Sequence, residues 1–173
     1  MLGLGRLYDV GLALAPVDLA TAGAVGKRIS MNDCGGIDLL LVYAAGTDGD
    51  DPVPSITQYD AYTSGNSATL PVMTTIYRKA ETLLDNDEPW VKTTQTAAAI
   101  MTAVSDDAQK QKIYVIHVSS KVLNDGYGWI SVDQADLSNN AQLACFLYLK
   151  VDLDVQRTPA NLPNLLHPGA TNA

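Results

Sequence analysis

Two short apolar runs constrain this chain more than any other feature. They are Gly36-Ile37-Asp38-Leu39-Leu40-Leu41-Val42-Tyr43-Ala44-Ala45-Gly46 and Asn140-Ala141-Gln142-Leu143-Ala144-Cys145-Phe146-Leu147-Tyr148-Leu149. Each is rich in branched or aromatic side chains and closed by turn formers, which is how a buried strand of a sandwich or barrel reads. Further extended segments recur at residues 8–15, 27–31, 55–63, 70–77, 90–95, 112–119 and 127–132, and the second run extends to Val151. Residues 96–104 are ambiguous, because Ala97, Ala98 and Ala99 favour helix while the surrounding Thr and Val favour strand. They read as a strand breaking into a loop. Asn32-Asp33-Cys34-Gly35-Gly36 reads as a turn in which glycine supplies positive φ, and Ser64-Gly65-Asn66-Ser67 and Asn124-Asp125-Gly126 are further turns.

About eight or nine strands with regular turns predict an all-β chain, an antiparallel β-sandwich or jelly-roll-like fold. Leu39, Leu41, Val115, Leu143 and Leu147 are expected in or near its core. No fixed repeat period is present. The character changes near Asp154. Beyond it come Pro159, Pro163 and Pro168, so this part cannot be a central strand. The expected organisation is an N-terminal arm over residues 1–8, a sandwich domain over 9–155 and a Pro-rich C-terminal arm over 156–173, both arms extended. Leu162, Leu165 and Leu166 are too apolar for a free tail and are expected to lie on a partner surface.

At 173 residues the chain suits one domain with a real core. Its net charge of −8 argues against nucleic acid, whose phosphates require a basic footprint, and against an anionic membrane. No apolar stretch approaches the roughly 20 residues that span a bilayer, and residues 1–7 lack a secretory pattern, so synthesis in a cytoplasm is expected. Cys34 and Cys145 sit in or beside apolar runs and read as small buried hydrophobes rather than a disulfide scaffold.

Candidates for chemistry are few. Asp48, Asp50 and Asp51, and Asp85, Asp87 and Glu88, form acidic loops, but neither matches a calcium-loop spacing, and solvated turn carboxylates are the commoner reading. A glycosidase pair of carboxylates has no signature here. A nucleophile triad would need His117, which lies in an alternating strand, or His167, which lies in the Pro-rich arm and is a poor platform for a rigid base. Neither catalytic residues nor a cofactor or metal site is expected. Trp90 and Trp129, with Tyr59, Tyr62, Tyr77 and Tyr127, could form a sugar-stacking face, though Tyr and Trp in strands more often serve at interfaces. Lys27-Arg28, Arg78-Lys79 and Lys110-Gln111-Lys112 are too dispersed for a nucleic-acid groove and better suited to acidic neighbours. Trp90, Trp129, Leu162, Leu165 and Leu166 are therefore the candidate protein-interaction residues.

The succession Asp9-Val10, Pro16-Val17-Asp18-Leu19 and Gly36 through Pro52 resembles a family of small structural proteins of tailed bacteriophages and prophages. The resemblance continues through Thr94-Gln95-Thr96-Ala97-Ala98, Gln111-Lys112-Ile113-Tyr114-Val115-Ile116 and Ser138-Asn139-Asn140 into the second apolar run, covering most of residues 5–155. It implies a virion protein on the capsid exterior, a decoration (cement) protein that bridges and stabilises capsid subunits. The implied partners are the major capsid protein and further copies of itself, most simply a homotrimer. A carbohydrate- or receptor-binding protein of a head fibre or tail is the alternative, and a head–tail or neck connector another.

Overall fold

The structure, a computed structural model, describes residues 7–20, 22–105, 107–137 and 140–154. Among these residues lie ten strands: β1 (Asp9–Asp18), β2 (Ile29–Ser30), β3 (Cys34–Tyr43), β4 (Ser55–Tyr59), β5 (Ser67–Thr69), β6 (Met73–Glu81), β7 (Val91–Ala98), β8 (Gln111–Ser119), β9 (Trp129–Asp133) and β10 (Leu143–Leu153). They form a six-stranded sheet in the order β1-β10-β3-β8-β6-β7 and a four-stranded sheet in the order β2-β9-β4-β5. Every pairing is antiparallel. The chain is therefore all-β, in the two-sheet class that the short apolar runs predict.

Alternation builds the core between the sheets. Ile37, Leu39, Leu41 and Tyr43 of β3 point inward with Tyr114, Ile116 and Val118 of β8 and with Ala144 and Phe146 of β10. They meet Ile29, Ile56, Ile130 and Val132 from the smaller sheet. The Tyr43 ring lies 5.7 Å from Tyr114 and 5.3 Å from Phe146, tilted and edge-on, arrangements that aromatic quadrupoles favour.

Leu39 and Leu41 are buried as expected, but three expected core residues are not. Leu143 is 59% exposed, and Val115 and Leu147 are only half-buried on the opposite face of the larger sheet. The reason is that β3, β8 and β10 carry apolar side chains at both parities, so alternation marks the strands without marking their inner face.

The turn at residues 32–36 also differs. Asp33 takes the positive φ, at 60°, while Gly35 and Gly36 belong to β3. Gly36 is needed for close approach, since a Cβ there would sit 2.8 Å from the Val118 carbonyl oxygen. β1 continues through Pro16 where a strand end is expected. Proline is tolerated because β1 is an edge strand with register shifts between Leu12 and Leu14 and between Leu14 and Val17.

Candidate functional site

Cross-strand register turns the outward parity of the larger sheet into a surface. Leu12, Leu147, Leu40, Val115 and Tyr77 stand side by side across β1, β10, β3, β8 and β6. Beside this row runs a second one, Cys145, Val42, Ile113 and Lys79. Leu12 and Tyr77, at the two ends of the first row, are 41% and 46% exposed. At one end of the sheet Pro16, Val42, Leu84, Leu143 and Cys145 line a shallow apolar groove. An apolar row across five strands is more than the scattered exposed side chains normal for a surface, although only its two ends are exposed.

The four sheet edges differ in how they are guarded. β1 carries Pro16 and two register shifts, β2 has two residues and β5 three. Bulges, proline and short length all discourage pairing with another chain. β7 is different: eight residues, Val-Lys-Thr-Thr-Gln-Thr-Ala-Ala, with no proline or glycine and with every side chain exposed or half-exposed. A register shift opposite Met73 and Thr75 disturbs its far end, while Val91 to Thr94 stays in regular pairing with Thr75 to Arg78. Trp90 opens this strand, 51% exposed, with the Lys79 ammonium 5.4 Å from its ring centroid. Trp129 lies elsewhere, on the smaller sheet, its ring 5.2 Å from that of the exposed Tyr62. Arg28 stacks nearby on Tyr59 at 3.8 Å and donates to the carbonyls of Ala61 and Ser64. The two candidate tryptophans thus belong to separate surfaces, and Tyr77 sides with Trp90. Leu162, Leu165, Leu166 and His167, with the whole C-terminal arm over 156–173 and residues 1–6 of the N-terminal arm expected over 1–8, lie outside the described residues.

Arg78 and Lys110, from two of the three dispersed basic clusters, converge in space on one buried carboxylate. Arg78 Nη1 lies 2.5 Å from Asp107 Oδ2 and Lys110 Nζ 3.8 Å from Oδ1, while the Asp107 side chain is wholly buried. The Tyr114 hydroxyl donates to Asp107 at 3.4 Å. Lys112, also buried, donates from Nζ to the carbonyls of Asp107 and Ala108 at 2.5 and 3.1 Å. Three side chains from the sheet, Arg78, Lys112 and Tyr114, so bind the loop before β8, and this cluster is a brace rather than a cleft. Burial lowers the Lys112 pKa to about 8, opposed by the Asp107 charge, and burial raises that of Tyr114.

A lysine whose folded pKa lies below its unfolded value makes the unfolded state hold more protons between the two, so its contribution to stability rises with pH there. The difference in unfolding free energy between the native chain and Lys112→Met should therefore grow between pH 8 and 10.5, by up to about 3 kcal/mol. Urea titrations at a series of pH values check this; a flat difference contradicts it.

Other polar groups form no assembled centre among the described residues. His117 Nδ1 sits 2.7 Å from Asp38 Oδ1 on the outer face, more exposed than its alternating strand suggests, and no hydroxyl is hydrogen-bonded to its ring. The carboxylate oxygens of Asp85, Asp87 and Glu88 lie within 4.8 Å of one another, with Glu88 accepting the Asp85 N–H. Asp50 accepts from the Asn140 side chain at 3.1 Å. Cys34 is a buried free thiol and Cys145 a half-buried one. Sequence reading missed the outer face and the Asp107 brace; the signal for the first was present, as apolar residues at both parities of β3 and β10. No family model matches the chain, and no curated protein or solved structure does either.

Proposed function

We propose that this chain is a structural virion protein of a tailed bacteriophage, a decoration protein that binds the outer capsid surface and bridges capsid subunits, with the major capsid protein and further copies of itself as partners. The eight-residue edge of β7, whose outer side no strand among the described residues pairs with, carries the reading. Its free backbone groups and threonine-rich side chains offer strand pairing or polar contact to a neighbour, and Trp90 at its start supplies an aromatic anchor. Closed rings of such contacts give the homo-oligomer, a trimer by the sequence resemblance. The rigid two-sheet body and its brace fit a part whose work is contact rather than chemistry, and the proposal assigns no catalytic or cofactor role.

Copy number in purified particles tests the location. Decoration of a shell requires many copies spread over it, whereas roughly a dozen or fewer, as in one closed ring, would make it a neck or tail component. Thr94→Lys with Thr96→Lys tests the edge, because added charge blunts strand pairing without touching the core. Particle occupancy should fall at least about tenfold, a loss near 1.4 kcal/mol per contact. Unchanged occupancy overturns the role of β7.

The Tyr62–Trp129 pair favours a second reading, a carbohydrate- or receptor-binding virion protein. Tyr62→Ala should then abolish binding to host surface glycans and leave particle occupancy unchanged.

A further inference from the structure

We propose that β7 pairs with β7 of a second copy, antiparallel about a two-fold axis at Thr94, so that the two larger sheets become one. This rests on the reading of β7 as a contact edge and names the strand that meets it.

Elimination among the edges comes first. The larger sheet ends in β1 and β7, the smaller in β2 and β5. Pro16 and two register shifts break β1, while β2 and β5 offer two and three residues. Among the described edges, β7 alone presents eight consecutive strand residues without proline or glycine. A full ladder needs an unbroken partner of similar length, and on a second copy that partner is β7 itself.

The strand is also held ready to pair. Gln95 donates to the Ile100 carbonyl at 3.0 Å and accepts the Thr102 N–H at 2.8 Å. Just beyond, the Ala99 carbonyl and the Met101 N–H bond to Ile56 and Pro54 beside the smaller sheet. A tethered edge has little left to order on binding.

The residues along β7 then choose the register. Trp90, Val91 and Lys92 stand at its start, and Thr96, Ala97 and Ala98 at its close. Antiparallel self-pairing sets each start against the other copy's close, as an isologous contact requires. Centred on Thr94, it places Lys92 opposite Thr96 and Trp90 opposite Ala98, whose small side chain leaves room for the indole. Lys92 is the one formal charge on β7, in a chain of net charge −8. A centre on Lys92 would set two ammonium groups face to face, which destabilises a strand pair. The Thr94 centre holds them about 14 Å apart, beyond the Debye length at physiological salt. Thr94 meets its own counterpart, a favourable cross-strand pair. Such a contact closes at two copies, so a trimer would rest on a different surface.

Cysteine cross-linking tests the register in a Cys145→Ser chain, where Cys34 is buried. Thr94→Cys should oxidise to a covalent dimer, because opposed Cα atoms about 4.5–5.5 Å apart lie within disulfide reach. Lys92→Cys and Thr96→Cys should each stay unlinked alone and cross-link when mixed. Light scattering should show that Thr94→Lys with Thr96→Lys halves the mass of the native assembly. A Thr94→Cys chain left unlinked overturns the proposal; should that variant unfold, the mixed pair decides. An unchanged mass overturns it too. If the mass is unchanged while the lysine variant still loses particle occupancy, β7 meets the capsid instead, and the virion reading survives where this inference fails. A cross-linked dimer with unchanged occupancy supports the inference and removes β7 from particle binding.

Discussion

Replacing Arg78 by Met is expected to destabilise the fold by roughly 3–5 kcal/mol, the usual cost of stranding one member of a buried ion pair. Arg78 reaches Asp107 from β6 at 2.5 Å, and the Asp107 side chain has no exposure of its own. With Arg78 gone, Lys110 remains 3.8 Å away and Lys112 is committed to backbone carbonyls. The carboxylate would then have to take up a proton or draw the loop before β8 open toward water. Either response costs free energy, and the second would also disturb Tyr114, which shares the carboxylate. Removing both charges should cost far less than removing one, since an apolar pair of similar volume leaves nothing stranded. Urea unfolding of Arg78→Met, Asp107→Leu and the double variant checks this. A loss below about 1 kcal/mol for Arg78→Met would place the pair with surface salt bridges and remove the brace from the account.

The fold class was legible in the sequence because its signals are local. Turn formers at Gly65 and Gly126 adopt the positive φ their turns demand, at 86° and 85°, and the apolar runs between turns became strands. Sheet phase is a different matter. In β10 the outward parity reads Leu143, Cys145, Leu147, Leu149, and the inward parity reads Ala144, Phe146, Tyr148, Lys150. Hydrophobicity alone selects the wrong set. Lys150 is nevertheless buried, donating to the Asn32 carbonyl at 3.3 Å, and Lys112 is buried on the same side of β8. Long side chains with polar ends can cross the core margin and find backbone oxygens, which a parity count cannot foresee. The Asp107 brace was illegible for a related reason. Arg78 is about thirty residues from Asp107, Lys110 and Lys112 in sequence, and only the pairing of β6 with β8 brings them together. Trp90 and Trp129 show the converse, similar residues that the topology sends to different sheets.

Phe146→Ala is expected to cost about 3–5 kcal/mol, while Leu143→Ala three residues earlier costs less than about 1 kcal/mol. Both sit on β10 in the same apolar run, so the contrast isolates the face each occupies. Phe146 is fully buried and edge-on to Tyr43, which in turn packs on Tyr114. Truncation would remove a ring from the centre of the core and leave a cavity that flanking strands, pinned by their hydrogen bonds, can close only in part. Leu143 is 59% exposed, so shortening it forfeits little burial within the sheets. Its loss should instead uncover Cys145, which lines the same groove, and speed alkylation of that thiol by a maleimide with almost no change in the unfolding midpoint. Denaturant unfolding of the two variants, with the thiol measurement alongside, separates the roles. Comparable losses at both positions would mean that the larger sheet is buried on both sides, with its outer face as much a part of the folded core as the inner one.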